Sequence, residues 1–231
     1  MSDSPIAAMF DRISPKYDVL NHLLSFNRDK AWRRKTAKAV TQSHPKTILD
    51  LATGTADLAI ALAKRNPESF IIGMDISEKM LEIGRRKVAK EGLGSQIELR
   101  NGDAASLPFG DNAFDAVTVA FGVRNFEDLD RGITEIHRVL KPNGKAFILE
   151  FSMPEKFPIK QLYRLYFKHL LPRIGRTVSK DSNAYDYLPA SVERFPKPNA
   201  FLHILGQSGF TNALAKPMTF GIVTLYTTYK N

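Results

Sequence analysis

Apolar residues in this chain concentrate in five short segments that predict strands, and most of these segments are separated by stretches of helical periodicity. The five segments cover residues 47–51, 70–74, 97–100, 114–119 and 146–151. After the second segment, Ser77 caps a predicted helix through about Glu91, because small and apolar residues recur every three to four positions from Met80 to Val88. Strands that alternate with helices predict a mainly parallel, doubly wound α/β sheet, whose ligands bind at the carboxyl ends of the strands.

The segments on either side of this pattern differ from it. Residues 5–40 predict two helices, interrupted at Pro15, which either pack over the open end of the sheet as a lid or only cover a sheet edge. Near the carboxyl terminus, strands at 213–216 and 219–229 are separated by a Lys-Pro pair, so they should be antiparallel neighbours. We expect a single domain over 1–231, made of a lid at 1–45, a core at 46–152, an insertion at 153–200 and a C-terminal helix with strands at 201–231.

A turn of small residues at 52–56 follows the first strand and precedes a helix. Gly54 lets the backbone approach a ligand, since a Cβ branch would hold the ligand away. Thr55 or Asp57 is a candidate cap for the helix, whose free N–H groups would point at the ligand. Asp75 ends the second strand 21 residues after Gly54, where a carboxylate can accept hydrogen bonds from ribose hydroxyls. Together these features predict a nucleoside site, and the alternative is an ordinary βαβ unit with a capping acid.

Other charged side chains follow the carboxyl ends of the predicted strands and extend the same candidate site. Asp103 follows the third strand, and Arg124 with Asn125 follows the fourth. Because ligands of a doubly wound sheet bind at this edge, we expect these side chains to lie near the nucleoside. The alternative for Arg124 is an ion pair within its own loop, with Glu127 or Asp128 as the partner.

The composition is that of a globular protein without disulfides. The 231 residues are 43% hydrophobic and 25% charged, and none is cysteine. The absence of cysteine excludes disulfides, thiol nucleophiles and thiolate metal sites, so we expect a cytoplasmic protein without a metal. No signal peptide is visible, and no stretch approaches the roughly 20 apolar residues that span a bilayer.

The net charge of +9 predicts an acidic partner, unless the basic residues only form a solvated surface. A helix predicted at 158–171 carries Lys160, Arg164 and Lys168 on one face and aromatic residues on another. It either rests on an anionic membrane surface or walls an apolar pocket, and the alternative is a core helix with a solvated basic face. No RNA-binding module is visible, so we expect no nucleic-acid partner.

Several blocks of the sequence resemble one family over nearly the whole chain. The blocks are YDVLNHLLS at 17–25 with Trp32, FGVRN at 121–125, RVLKPNGK at 138–145 with the EFS of 150–152, and GIV at 221–223. They resemble the quinone-biosynthesis C-methyltransferases of the UbiE/MenG group, which methylate demethylmenaquinol and related benzoquinols. The resemblance implies a Rossmann-like class I methyltransferase fold, with a mostly parallel seven-stranded sheet and an antiparallel C-terminal strand.

The resemblance also implies S-adenosylmethionine as the cofactor. Carried over by position, Thr55 lies in the methionine-side turn, Asp75 meets the ribose, and Asp103 with Ala104 meets the adenine. The full set of candidate cofactor-binding residues is Asp50, Gly54, Thr55, Asp57, Asp75, Asp103, Ala104 and Ala120. Ala120 stands where some relatives have serine and offers no side-chain hydrogen bond. Asp29 and Phe195 stand where the family has histidine, so we expect no proton relay through either position.

The implied acceptor is a lipophilic quinol, whose ring carbon becomes nucleophilic when a neighbouring phenol loses its proton. A phenol has a pKa of about 10, so the site must favour the phenolate. We expect Arg124, with Asn125 beside it, to stabilise the phenolate, because arginine stays protonated and is a poor base. His22 is a candidate proton acceptor, and the alternative is a packed or solvent-facing histidine. Candidate substrate-pocket residues, which could equally be core aromatics, are Tyr17, Tyr185 and Tyr187.

Competing hypotheses stay open on the sequence alone. The leading one is methylation of demethylmenaquinol to menaquinol in menaquinone biosynthesis, by an enzyme in peripheral contact with the inner face of the membrane. A 2-polyprenyl-6-methoxy-1,4-benzoquinol of ubiquinone biosynthesis, or another apolar small molecule, is an alternative acceptor. A nicotinamide oxidoreductase would need glycines where Ala52 and Ala56 stand, and a basic RNA-binding or RNA-modifying protein is the alternative from another class. The sequence does not give the oligomeric state.

Overall fold

A computed structural model describes residues 4–25, 27–165 and 182–231 of the chain. Its strands are β1 (Thr47–Leu51), β2 (Phe70–Asp75), β3 (Ile97–Asn101), β4 (Phe114–Ala120), β5 (Leu140–Phe151), β6 (Thr211–Met218) and β7 (Val223–Tyr229). Its helices are α1 (Pro5–Leu24), α2 (Arg28–Thr41), α3 (Asp57–Ala63), α4 (Glu78–Lys90), α5 (Leu129–Val139), α6 (Ile159–Leu165), α7 (Ser182–Arg194) and α8 (Pro198–Gln207). Short 3₁₀ turns lie at Val123–Asn125 and Thr219–Gly221.

The described strands form one seven-stranded sheet in the order β3-β2-β1-β4-β5-β7-β6. Strands β1 to β5 pair in parallel, whereas β7 is antiparallel to both of its neighbours, β5 and β6. This confirms the predicted sheet, mostly parallel with an antiparallel C-terminal strand. The strand order reverses between β1 and β4, which is where doubly wound sheets open a crevice for a ligand.

Two hydrophobic layers cover the two faces of this sheet. Ile48 and Leu49, neighbours in β1, are both fully buried but belong to opposite layers, because successive side chains of a strand point to opposite faces. Leu62 of α3 packs in the layer of Ile48, while Ile133 and Ile136 of α5 pack in the other. Strands covered on both faces carry mostly apolar residues, which is why β1 and β2 stand out as short apolar segments in the sequence.

Helix α4 begins and packs as the sequence predicts. The hydroxyl of Ser77 accepts a hydrogen bond from the backbone N–H of Met80, and the helix ends at Lys90. The four positions predicted to face the core are all buried: Met80, Leu81, Gly84 and Val88. The cap also fixes the entry of α4 directly after Asp75, the residue predicted to meet a ribose.

Helix α1 contradicts the predicted interruption at Pro15, since it runs from Pro5 to Leu24 with Pro15 inside it. A proline in a helix removes the hydrogen bond to the carbonyl four residues earlier, here that of Asp11. The hydroxyl of Ser14 donates to this Asp11 carbonyl at 3.0 Å and replaces the missing bond. A local side-chain bond therefore lets the helix continue through a residue that usually ends one.

The C-terminal strands and β5 differ from the prediction in their limits. The turn between β6 and β7 is Thr219–Gly221, because Lys216 and Pro217 remain paired with β7. Pro217 is tolerated because β6 is an edge strand, where a missing N–H faces away from the sheet. Strand β5 starts at Leu140 rather than at 146, with an irregularity in its pairing to β4 before Lys145.

The helix predicted at 158–171 is described only in part. Tyr163 of α6 is buried, whereas Leu162 is 60% exposed, so the apolar residues of this helix do not all lie on one buried face. Tyr166, Phe167, Lys168 and Leu170 lie outside the described residues, and so does the side chain of Arg164. None of the described helices is both long and apolar enough to cross a bilayer.

Candidate active site

A cleft with about 710 Å³ of empty space opens at the carboxyl ends of β1, β2 and β4, and α1 lies against it. The residues that line it are Ser4, Ile6, Phe10, Tyr17, Leu51, Ala52, Gly54, Met74, Asp75, Ile76, Met80, Gly102, Asp103, Ala104, Phe121, Gly122, Asn125, Phe126 and Glu127. The sheet edge predicted to bind a ligand therefore carries a cavity.

The turn after β1 follows the predicted course but not the predicted capping. Ala52, Gly54 and Ala56 have φ angles of 50°, 56° and 66°, in the left-handed region. The cap of α3 is Ala56, without a side-chain hydrogen bond, so the prediction of Thr55 or Asp57 as the cap was wrong. A left-handed cap residue turns the chain sharply and leaves these two side chains free for other partners.

Those partners come from α1 and α4. The hydroxyl of Thr55 donates to Asp18 at 2.7 Å, and Lys87 bonds to Asp18 and to Asp57. Lys87 also donates to the Thr55 hydroxyl at 3.1 Å. The Thr55 side chain thus joins the turn to α1 and α4.

Asp75 joins two backbone turns at the wall of the cleft. Its Oδ2 accepts a hydrogen bond from Gly54 N at 2.8 Å, and its Oδ1 accepts one from Ser77 N at 2.9 Å. Burial raises the pKa of Asp75 to about 6, although both backbone bonds act in the opposite direction. Each carboxylate oxygen has a second acceptor position, so Asp75 can still accept from ligand hydroxyls.

The adenine-side prediction, Asp103 with Ala104, falls in the same cleft. One Asp103 oxygen accepts from Ala105 N at 2.9 Å. Apolar side chains of Phe10, Ile76 and Met80 form the adjoining walls. Carboxylates beside apolar walls suit a nucleoside, which presents hydroxyl and amino donors together with a flat apolar face.

A second, smaller pocket lies on the other side of the β1 turn. Its lining includes the remaining predicted cofactor residues and one that was not predicted; these are Asp50, Thr55, Asp57, Ala120 and Arg33. Tyr17, Ala52 and Gly54 line both pockets, so the two are adjacent. The carboxylate of Asp50 is held within the fold, since it accepts from Thr118 at 2.5 Å and Thr53 at 2.7 Å. Burial raises the pKa of Asp50 to about 6.

Three hydrogen bonds attach α1 to the edge of the main cleft. Ser4 donates to Glu127 at 2.6 Å, the hydroxyl of Ser77 donates to Asp11 at 2.6 Å, and Thr55 donates to Asp18 at 2.7 Å. They reach the loop after β4, the start of α4 and the β1 turn. The role of α1 as a lid stays a prediction, and these contacts place it where a lid would lie.

Arg124 and Asn125, predicted together, have different surroundings. The Arg124 side chain is 6% exposed and pairs with the fully buried Glu150 at 2.7 Å. The predicted loop partners, Glu127 and Asp128, were therefore wrong, since the described partner lies at the end of β5. Asn125 lines the main cleft, and its Oδ1 accepts a hydrogen bond from the Tyr187 hydroxyl at 3.0 Å. Among the described residues, its amide N–H₂ group has no acceptor.

The other residues predicted for catalysis or substrate binding do not all lie at the two pockets. Tyr17 lines both pockets. His22 Nδ1 shares a hydrogen bond with Asp29 Oδ2 at 2.8 Å, and His22 is not among the described residues that line either pocket. The side chain of Tyr185 lies outside the described part of the structure. The structure thus brings the cofactor candidates together with Tyr17, Asn125 and Tyr187, but not with His22.

Sequence reasoning missed Arg33, Lys87 and Glu150. Arg33 stands in a basic run, where nothing distinguishes it from its neighbours except an aspartate four residues earlier. Lys87 and Glu150 act on residues 30 and 26 positions away, at Asp57 and Arg124. Such contacts depend on the packing of separate elements, and the sequence carried no local signal for them.

The chain matches the model of the ubiE/COQ5 methyltransferase family over residues 1–230. It is 46% identical to a demethylmenaquinone methyltransferase of Bacteroides fragilis, over 97% of this chain and 92% of that one. A demethylmenaquinone methyltransferase of Thermus thermophilus is 44% identical, over 94% and 98%. A ubiquinone/menaquinone biosynthesis C-methyltransferase UbiE of Geotalea daltonii is also 44% identical, over 96% and 94%.

Solved structures share the fold at much lower identity. An S-adenosylmethionine-dependent methyltransferase of Thermotoga maritima, named as a possible histamine N-methyltransferase, has a TM-score of 0.68 and 17% identity, over 98% of this chain and all of that one. The [4+2]-cyclase SpnF has a TM-score of 0.73 and 20% identity, over 97% and 95%. At these identities the likeness concerns the fold alone.

We expect Asp75→Ala to weaken binding of S-adenosylhomocysteine about 10- to 150-fold, the effect of losing a hydrogen bond to a charged group. Because the pKa of Asp75 is raised to about 6, the unmodified protein should also lose affinity as the pH falls through 6, where the carboxylate takes up a proton. Isothermal titration between pH 5 and 8 measures both effects.

The control for this titration is Asp130→Asn, at an exposed position of α5 that is not among the described residues lining the cleft. It should bind like the unmodified protein at every pH. An Asp75→Ala variant that keeps full affinity, or keeps the same pH dependence, would remove Asp75 from the site.

Proposed function

The chain belongs to the ubiE/COQ5 methyltransferase family, and from that premise we propose that it C-methylates demethylmenaquinol to menaquinol. The observation that carries the proposal is a single cleft whose lining combines carboxylates, apolar walls, Asn125 and aromatic side chains. The names of the relatives from Bacteroides fragilis and Thermus thermophilus support this acceptor. The relative from Geotalea daltonii supports a ubiquinone-type benzoquinol as the second candidate.

The cofactor of this methyltransferase is S-adenosylmethionine, and the residues of the cleft fit it. Asp75 has acceptor positions left for ribose hydroxyls, and Asp103 with Ala104 lies where the adenine would meet the wall formed by Phe10 and Met80. When bound, the cofactor supplies an electrophilic methyl group on a sulfonium. The residues of the chain then have to orient the acceptor, since correct alignment of two bound reactants accounts for much of the rate enhancement in such transfers.

The acceptor must lose a phenolic proton, and Tyr187 indicates how this part of the cleft treats a phenol. Burial raises the pKa of the Tyr187 hydroxyl, and the charges of Arg124 and Arg194 lower it without reversing the change. The charge of Arg124 is offset by Glu150 at 2.7 Å. Because Glu150 balances the charge of Arg124, we propose that a phenolate in the cleft also needs a direct hydrogen-bond donor.

We propose that Asn125 is this donor. Its Oδ1 is fixed by the Tyr187 hydroxyl, so its N–H₂ group faces a defined direction and can donate to the phenolate oxygen. Arg124 directly precedes Asn125 and is not among the described residues that line the cleft. Its Nη1 donates to Phe121 O at 2.5 Å and to Glu150, which holds the turn that carries Asn125. This gives Arg124 a positioning role in addition to the electrostatic one predicted from the sequence.

The acceptor is tested by methyl transfer from S-adenosylmethionine to reduced demethylmenaquinone and to a reduced 2-polyprenyl-6-methoxy-1,4-benzoquinone, each in detergent micelles. We expect kcat/KM to be at least tenfold higher for the naphthoquinol. A preference for the benzoquinol would support the second candidate, and transfer to neither ring would contradict a quinol methyltransferase.

We expect Asn125→Ala to lower kcat about 10²- to 10³-fold, the usual effect of removing one donor to a developing oxyanion. Its pH–rate profile should move to higher pH, because more alkaline solution is needed to form the phenolate. Tyr187→Phe keeps the amide and should lose only about fivefold, as for one neutral hydrogen bond.

The double variant Arg124→Met/Glu150→Gln removes both charges of the buried pair together and so leaves no unpaired ion. If Arg124 acts by positioning, the pH–rate profile of this variant keeps its shape while kcat falls. An upward move as large as that of Asn125→Ala would assign the phenolate to Arg124 instead.

We further propose a cytoplasmic protein that contacts anionic membrane at its inner face. Four large apolar side chains are more than half exposed around α6 and the turn before β7; these are Phe157, Leu162, Leu165 and Phe220. The two regions are neighbours, since Ser152 bonds to Gly221 O at 2.8 Å. Exposed Lys156 precedes α6. An apolar patch with a cation at its edge suits an anionic membrane, where a lipophilic quinol would be found.

We expect Phe157→Ser/Leu162→Ser to reduce flotation of the protein with anionic liposomes at least fivefold, because both exposed side chains would enter the interface. Leu214→Ser is the matched control: Leu214 is 65% exposed but lies on β6. Equal flotation of both variants, or equal binding of the unmodified protein to neutral and anionic vesicles, would contradict the proposed surface.

A further inference from the structure

A third pocket lies at the end of the sheet opposite the cleft, and it shares no lining residue with the two pockets of the candidate site. The loop before β1, the start of β4 and the first part of β5 enclose about 570 Å³ of empty space there. Asp115 lines this pocket and Ala120 lines the smaller pocket beside the β1 turn. These two residues are five positions apart on β4, which corresponds to about 16 Å. A ligand in the third pocket would therefore be separate from the cofactor and from the acceptor.

Strand β5 begins with a turn that forms one wall of this pocket. In its pairing with β4, Leu140 lies opposite Phe114 and Lys145 lies opposite Ala116. Residues 141–144 therefore loop out opposite a single residue of β4. They belong to the RVLKPNGK block of the sequence, and no residue of that block lines the cleft. The proposed function thus leaves this part of the chain without a role.

The turn has a fixed shape. Asn143 has a φ of 63°, in the left-handed region, and a Cβ on Gly144 would lie 2.7 Å from Lys141 O, so a larger residue there would displace the turn. The backbone N–H of Asn143 donates to Lys230 O at 2.7 Å, and that of Lys230 donates to Gly144 O at 3.0 Å. These two bonds tie the turn to the end of β7. The backbones of Lys141 and Lys145, on either side of the turn, are therefore held in place at the pocket.

The charge of the pocket is positive. Three lysines, one histidine and one aspartate line it: Lys46, Lys141, Lys145, His44 and Asp115. With the histidine neutral, these groups have a net charge of +2. The carboxylate of Asp115 accepts from two backbone N–H groups where β1 begins, at 2.9 and 2.8 Å, and from Lys141 Nζ at 2.7 Å. Burial opposes the ionisation of Asp115, but these bonds lower its pKa to about 2. The one carboxylate of the lining is thus ionised and occupied within the fold.

Lys145 is the cation of this group that the fold uses least. Its Nζ lies 4.9 Å from the centre of the Tyr229 ring, and no carboxylate among the described residues pairs with it. Lys46 pairs with Glu68 at 2.5 Å, but both side chains are mostly exposed, so this pair contributes little. Asn143 is exposed at the tip of the turn and carries an amide N–H₂ group. The pocket therefore offers ammonium and amide donors around a net positive charge.

This combination favours an anion that has many acceptor oxygens. A phosphate group has three strong acceptor oxygens, and lysine binds phosphate as a point charge. The lysines come from the loop before β1 and from both sides of the turn, so they surround the space and suit two linked phosphates better than one. We propose that this pocket binds a diphosphate group, either as the free ion or as part of a nucleotide. The proposal goes beyond the proposed function and does not rest on it, because no residue of the cleft takes part.

Isothermal titration of inorganic diphosphate into the protein, with the cleft saturated by S-adenosylhomocysteine, tests the proposal. Lys145→Met should weaken diphosphate binding at least tenfold, as for the loss of a bond to a charged group. Asn143→Gly should weaken it about threefold, because glycine adopts the same φ and only the amide is lost. Lys90→Met is the matched control. Lys90 is exposed at the end of α4 and lines none of the three pockets, so this variant loses the same charge and should change binding less than twofold.

The affinity for diphosphate should be the same with and without S-adenosylhomocysteine. Displacement of one ligand by the other would place the anion in the cleft and overturn the proposal. Equal losses in Lys145→Met and Lys90→Met would show attraction by overall charge only and would also overturn it. So would the absence of saturable binding, or inorganic phosphate that binds as tightly as diphosphate. Titration with ADP under the same conditions distinguishes the sources: tighter binding than diphosphate supports a nucleotide, and weaker binding supports the free ion.

Discussion

The carboxylate of Asp75 is the interaction on which the candidate site depends. It accepts a backbone hydrogen bond from the β1 turn at Gly54 and another from the start of α4 at Ser77, so it joins the two segments that border the cleft. Burying a carboxylate opposes its ionisation, and the pKa of Asp75 is raised to about 6 as a result. Two backbone donors offset part of that cost. A neutral side chain of the same size could not accept from both turns and from a ligand, so the site retains a group that is unfavourable for the fold alone.

Helix α1 depends on the same turns. Asp11 of α1 bonds to Ser77, which Asp75 also holds. Asp18 of α1 bonds to Thr55, the residue after Gly54, which is the other residue that Asp75 holds. The position of α1 over the cleft is therefore linked to the order of these turns. Lys87 extends the link, because it contacts Asp18, Thr55 and Asp57 from α4. These contacts make α1, which lies outside the sheet, part of the border of the site.

The sequence predicted what repeats along the chain and missed what depends on a single distant partner. The apolar segments and the cap at Ser77 located the sheet and α4. Both signals depend on residues that are close together in the sequence, since burial on both faces requires consecutive apolar residues and the cap is a local hydrogen bond. The continuation of α1 through Pro15 was missed because one hydroxyl, that of Ser14, replaces the lost bond. Within the site, the residue types at strand ends were sufficient to place Asp75 and Asn125 at the cleft. The pairing of Arg124 with Glu150 was not predictable, since it requires the ends of β4 and β5 to be adjacent.

The two arginines near the cleft, Arg124 and Arg33, differ in their hydrogen-bond partners and therefore in what they can do. Arg124 donates to Glu150, Phe121 O and Ser191, and its pair with Glu150 is buried, so it stabilises a turn more than it attracts an anion. Arg33 donates to Asp29 and lines the smaller pocket. The same fold supports a [4+2]-cyclase at 20% identity, so the sheet and its turns do not themselves select a reaction. Selection of the acceptor must come from elements added to them, and here the contact between Tyr187 of α7 and Asn125 of the 3₁₀ turn joins the insertion to the cleft.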